Sequence, residues 1–109
     1  MKSLNLDSFI WHNAVLLDVC IRRTNDRTFL ISLYIEWPDE TRNEIIFEYC
    51  KINLQLSEVQ HSKKQIDTFG EYYDVVPEWP ERKETIRYEI NLNSAEQKIC
   101  IWGNLLCIL

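Results

Sequence analysis

Residues 14–22 read AVLLDVCIR and residues 29–35 read FLISLYI. In the first run Val15, Leu17, Val19 and Ile21 alternate with Leu16, Asp18, Cys20 and Arg22; in the second, Phe29, Ile31, Leu33 and Ile35 take every other place. Side chains of a strand point alternately to its two faces, so a period of two predicts extended chain with one face buried. Thr24, Asn25, Asp26 and Arg27 lie between the runs and are residue types that tolerate tight turns. The pair is therefore expected to form an antiparallel hairpin.

The same period recurs outward from this pair. Trp37 and Pro38 end the second run, because proline has no N–H to give to a ladder. The polar residues 39–43 then turn the chain into 44–53, where Ile45, Phe47 and Tyr49 oppose Ile46, Glu48 and Cys50. Near the carboxyl end Ile86, Tyr88, Ile90 and Leu92 share a face within 85–92, and a turn over 93–97 leads to a further run at 98–102. Gly103 and Asn104 accept positive φ, so they form a bulge or another tight turn before 105–109; the bulge, with a buried last strand, is the preferred reading.

The segment 54–84 has two readings. Ser57 and Gln60 fit a capping box, with Val59 and Ile66 on one face of a short helix, although His61, Ser62, Lys63 and Lys64 are polar. The other reading is a loop over 58–64 and a strand around 65–69 closed by Gly70. Pro77 and Pro80 bracket Glu78 and Trp79 and predict an ordered, irregular connection. The fold class that follows is all-β: an antiparallel meander of about six strands, as a two-sheet sandwich or a curved sheet closing over the middle segment.

A chain of 109 residues, 46% hydrophobic and with only two glycines, is long enough for a single domain with its own core. The longest uncharged amino-terminal run, 8–17, is too short to span a bilayer, and Lys2 followed by Asp7 is no secretory leader, so no membrane association and a cytoplasmic location are expected. Cys20, Cys50, Cys100 and Cys107 never fall in the close pairs of metal sites or disulfide scaffolds, which predicts buried thiols and neither metal nor cofactor.

The net charge of −5 is unevenly spread. From 67 to 81 there are five acids, Asp67, Glu71, Asp74, Glu78 and Glu81, and no base, with Tyr72, Tyr73 and Trp79 among them. A second acidic window holds Glu36, Asp39, Glu40, Glu44 and Glu48 against Arg42 alone, beside Trp37. Acid interleaved with exposed aromatic rings suits a protein partner with a basic surface, since complementary potential speeds encounter and rings supply contact area. Nucleic acid would be repelled. The candidate partner-binding residues are Asp67, Glu71, Tyr72, Tyr73, Asp74, Glu78, Trp79, Glu81, Trp37, Asp39 and Glu40; the competing reading is a solvated acidic loop with its rings in the core.

Chemistry is thinly represented. Arg22, Arg23 and Arg27 lie beside Asp26 with no glycine-rich loop or interleaved aromatics, so they read as a solvated turn. Neither G-x-S-x-G nor a nucleotide-binding glycine pattern occurs. The expectation is a protein that is not an enzyme. Two alternatives are a small ligand-binding or catalytic domain in which Cys20 or Cys50 meets His12, and a structural subunit pairing with another copy through a strand edge.

His12, Asn13, Ala14, Val15, Leu16 and Leu17, the strand ending at Ile21, and later Ile45, Ile46, Phe47 and the run at Ile52 resemble a loose group of small bacterial all-β proteins, some associated with toxin immunity. In that group an aspartate often follows the histidine, where this chain has Asn13. The resemblance implies a bacterial, intracellular, immunity-type binding protein.

Overall fold

The computed structural model describes residues 6–24, 28–56, 64–79, 81–93 and 97–109. The turn residues Asn25, Asp26 and Arg27, the capping pair Ser57 and Gln60, His61, and Pro80 lie outside the described residues. After a single 3-10 turn, Leu6–Ser8, six strands follow: β1 (Val15–Arg23), β2 (Phe29–Glu36), β3 (Arg42–Gln55), β4 (Lys64–Val75), β5 (Glu84–Leu92) and β6 (Lys98–Ile108). The all-β, six-stranded antiparallel expectation holds. Of the two readings of the middle segment, the strand is the one found, and it runs through Gly70 to Val75. No helix among the described residues is long and apolar enough to cross a membrane.

Strand order corrects the single meander. The sheet closes into a barrel in the order β1-β2-β3-β6-β5-β4, so β3 leaves its sequence neighbour and pairs with β6 from Ile45 to Gln55. Two three-strand meanders, β1 to β3 and β4 to β6, are thus zipped together through β3 and β6. The second closure is slight: β1 meets β4 only at Val15 with Gln65 and Leu16 with Lys64.

Four bulges bend the strands, at Leu17 in β1, Cys50 in β3, Asp67 in β4 and Leu106 in β6. Each inserts one residue and so flips the parity of everything after it. In β1 Leu16 before the bulge and Val19 after it are therefore inward and Leu17 is out; Ile21 shares the face of Val19, opposite the buried Ile31, although it is 46% exposed, and the four residues read as one face do not all share it. The bulge expected at Gly103 and Asn104 sits instead across from Gly103, at Cys50, and again at Leu106. Gly103 has no positive φ. A Cβ there would strike the carbonyl oxygen of Glu48 and lie 2.7 Å from Tyr49 Cα, so close approach of β3 is what demands glycine. The last strand is buried only as far as Gly103; Asn104, Leu106 and Leu109 are exposed.

The barrel interior is filled with side chains. Ile31, Leu33, Ile35, Ile45, Phe47, Ile66, Ile90, Ile99 and Ile101 are fully buried, each worth roughly 1.5–3 kcal/mol relative to exposure. Residues 6–14 close one end as a plug. Trp11 donates its Nε1–H to Leu6 O at 2.8 Å and stacks on Phe69 at 4.1 Å, and Phe9 stacks on Trp37 at 4.4 Å. With Tyr88 and Phe47 these rings form a continuous aromatic column through the core. A second small cluster lies outside the sheet, where Val76 packs with Cys100, Trp102 and Cys50.

Candidate interaction surface

The acidic aromatic segment is strand β4 and the connection after it, and the fold distributes its residues over three environments. On the outer face of the sheet, Tyr72 lies back along β4 over Gly70, with the Arg87 guanidinium 4.9 Å from its ring centre. Beside it Asp74 Oδ2 accepts from Arg87 Nη1 at 3.0 Å and from Trp102 Nε1 at 3.1 Å. These bonds, the Trp102 indole foremost, hold the Asp74 carboxyl below its ordinary value. Asp74 is thus already committed within the molecule.

The second environment is the free edge of β4. Val76 N–H donates to Lys83 O and Asn93 N–H to Gln65 O, which fixes which residues address β5. In an antiparallel ladder alternate residues turn both backbone groups toward the same neighbour. Gly70, Tyr72 and Asp74 therefore address β5, while Glu71, Tyr73 and Val75 turn away from it. On that side β1 pairs only with Lys64 and Gln65. The outward N–H of Val75 is taken by Asp74 Oδ1 at 2.8 Å, and Val19 on the edge of β1 is capped in the same way by Asp18 Oδ1 at 2.8 Å. Between plug and cap, the backbone groups of Glu71 and Tyr73 have no hydrogen bond among the described residues. Tyr73 is 92% exposed. Glu71 is exposed too, and partial burial together with the nearby Asp7 raises its carboxyl above the usual range.

The third environment is the connection to β5. Glu78 takes positive φ and pairs with Lys51 at 3.1 Å. Trp79, 39% exposed, has Lys83 Nζ 5.4 Å from its ring and borders a hollow of about 310 Å³ with Phe29, Tyr49, Glu48 and Asn104. Glu81 is exposed. At the opposite end of β4, Asp67 is held by His12, whose Nδ1 lies 3.1 Å from its carbonyl oxygen and 3.4 Å from Oδ1.

Of the second acidic window, Glu48 reaches this surface at the hollow beside Trp79, while the turn at Trp37, Asp39 and Glu40 does not join it. Trp37, expected as an exposed ring, is a correction: it is 5% exposed, stacks on Phe9, and donates Nε1–H to Asn43 Oδ1 at 2.6 Å. It is the first large apolar residue after β2 and falls under the plug. Asp39 accepts from the N–H and hydroxyl of Thr41, which lowers its carboxyl, and Glu40 takes the positive φ of the same turn. This turn borders the end of the barrel where β1 meets Gln65, about 30 Å along β4 from Val75 at 3.3 Å per residue.

Sequence reasoning missed the cations that meet the window: Arg87 and Lys51, which pair with Asp74 and Glu78, and Lys83, which lies against the Trp79 ring. Arg87 was visible as the polar residue between Ile86 and Tyr88, hence outward. The other two are brought in by pairings remote in sequence. The supposed thiol and imidazole pocket is not assembled: His12 contacts Asp67, Cys50 donates to Trp102 O at 3.2 Å, and Cys20 lies in the middle of β1 opposite Ser32. No family model, no curated protein and no solved structure matches the chain.

Proposed function

We propose that this chain is a non-catalytic interaction module that neutralises a protein partner with a basic surface by occupying it, as a bacterial immunity-type protein does in the cytoplasm. The observation that carries the reading is Tyr73, a large ring kept 92% in solvent beside the carboxylate of Glu71, which has no ion pair among the described residues. An aromatic side chain so placed gains nothing for the fold and supplies contact area to a partner. The side-chain-filled barrel supports the same reading, because it leaves recognition to the surface. Within the acidic segment Glu71 and Glu81 have no ion pair among the described residues and Glu78, though paired with Lys51, is exposed, so these three carboxylates steer an approaching cation; Asp74 belongs to the fold.

The test is association kinetics with the partner retained from native extract. Glu71→Lys, Glu78→Lys and Glu81→Lys together should slow association at least tenfold at low ionic strength, with the difference shrinking as salt is added. Asp74 is left intact so that folding is not in question. An association rate unchanged by the triple reversal would overturn the reading.

A further inference from the structure

We infer that the partner docks by strand addition: an extended segment carrying Lys or Arg on one face pairs with the open edge of β4 at Glu71 and Tyr73. The inference rests on the acidic-surface reading above and specifies how that surface is used. Four backbone groups, the N–H and C=O of each of these two residues, point off the sheet in the plane where a neighbouring strand would lie, and none has a hydrogen bond among the described residues. The opening has definite ends. Toward the start of β4, Ile66 is bonded to Asn13 and Ala14, and Trp11 is stacked on Phe69; toward its end, Asp74 caps Val75. A free edge of this kind recruits another chain through main-chain bonds, while alternate side chains supply the selection.

Charge decides between occupants. Glu71 and Tyr73 project to the same face of the sheet, so a side chain opposite Glu71 pairs with its carboxylate and the one two places on lies against the Tyr73 ring. A second copy of this chain is disfavoured, because each chain carries −5 and antiparallel pairing through these four groups sets Glu71 opposite the Tyr73 of the other copy, with its carboxylate facing no cation. A basic extended segment meets the same edge with opposite charge.

The probe is a capped hexapeptide alternating lysine and valine, compared with its glutamate and valine counterpart and with the lysine peptide N-methylated at every residue. Amide exchange of the full chain is read residue by residue. At saturation the lysine peptide should slow exchange at Glu71 and Tyr73 at least tenfold and leave Gly70 and Tyr72, already turned to β5, unchanged; the acidic and N-methylated peptides should do neither. If the N-methylated peptide binds as tightly as its parent, pairing is wrong while recognition of basic partners stands. If the acidic peptide binds as well as the basic one, both fall. Protection at Glu71 and Tyr73 that is present without peptide, and grows with protein concentration, makes the occupant a second copy and overturns the inference.

Discussion

Gly103 and Gly70 both stand inside strands, and they are irreplaceable to different degrees. At Gly103 the atoms a methyl would meet are main chain of β3, which cannot swing aside. Gly103→Ala should therefore cost about 2–3 kcal/mol, in the upper range of overpacking, seen as a lower urea midpoint at unchanged slope. At Gly70 the obstacle is the end of the Tyr72 ring, 48% exposed and able to rotate away. Gly70→Ala should stay within about 1 kcal/mol of the parent in the same assay, since strand propensity favours the alanine. Composition marked Gly103 as special but suggested the wrong cause, because close approach depends on a strand fifty-odd residues away. Asp74 yields a pH dependence. Its folded carboxyl lies below the ordinary value, so its contribution is present in full above about pH 4 and disappears as pH falls through the folded value. Asp74→Asn should lower the melting temperature by a constant amount from about pH 5 to 7, and the gap to the parent should close on further acidification. A gap that widened in acid would show the sign to be wrong.

At the scale of elements, the strands without early bulges were plain in the sequence and the bulged ones were not. β2 and β5 keep a strict period of two, and their buried residues Ile31, Leu33, Ile35 and Tyr88, Ile90, Leu92 fall where alternation puts them. Each bulge instead leaves two inward residues three apart: Leu16 and Val19, Tyr49 and Ile52, Ile66 and Phe69, Leu105 and Ile108. Three is a helical spacing, so a bulged strand loses the alternation that marks a strand in sequence. The amino-terminal plug was not legible at all, since Trp11 finds its partners at positions 37 and 69. Its weight is testable. Trp11→Ala removes a ring that is 7% exposed and stacked in the aromatic column, and should cost about 3–5 kcal/mol in urea unfolding. Trp11→Phe preserves the stack on Phe69 and should lose about half as much or less. Equal losses would mean that the indole bond to Leu6, rather than ring packing, holds the plug.

The whole molecule is two successive meanders joined strongly on one side and weakly on the other. Local turns told the sequence reader which strands form hairpins; nothing local could say that β3 would pass over β4 and choose β6, because that choice is made by the joint burial of both inner faces. The asymmetry of closure predicts an order of opening. The seam of β1 and β4 rests on two residue pairs and on the bonds between Ile66 and the chain at Asn13 and Ala14. Under native conditions the amide of Ile66 should exchange through an opening at least about 1.4 kcal/mol cheaper, tenfold in rate, than that of Ile101 in the middle of β6. Equal protection would mean that the seam parts only on global unfolding. The candidate surface was legible as composition, acid with aromatic rings between 67 and 81, but not as geometry, since the cations that meet it and the open edge are products of the closed sheet. Because each meander is continuous in sequence and the zipper between them lies wholly in β3 and β6, a backbone cut between residues 56 and 64 would separate the molecule into two polypeptides of similar size. Their reassembly would be driven by the single long β3–β6 contact, which makes this barrel a natural scaffold for a fragment-complementation sensor.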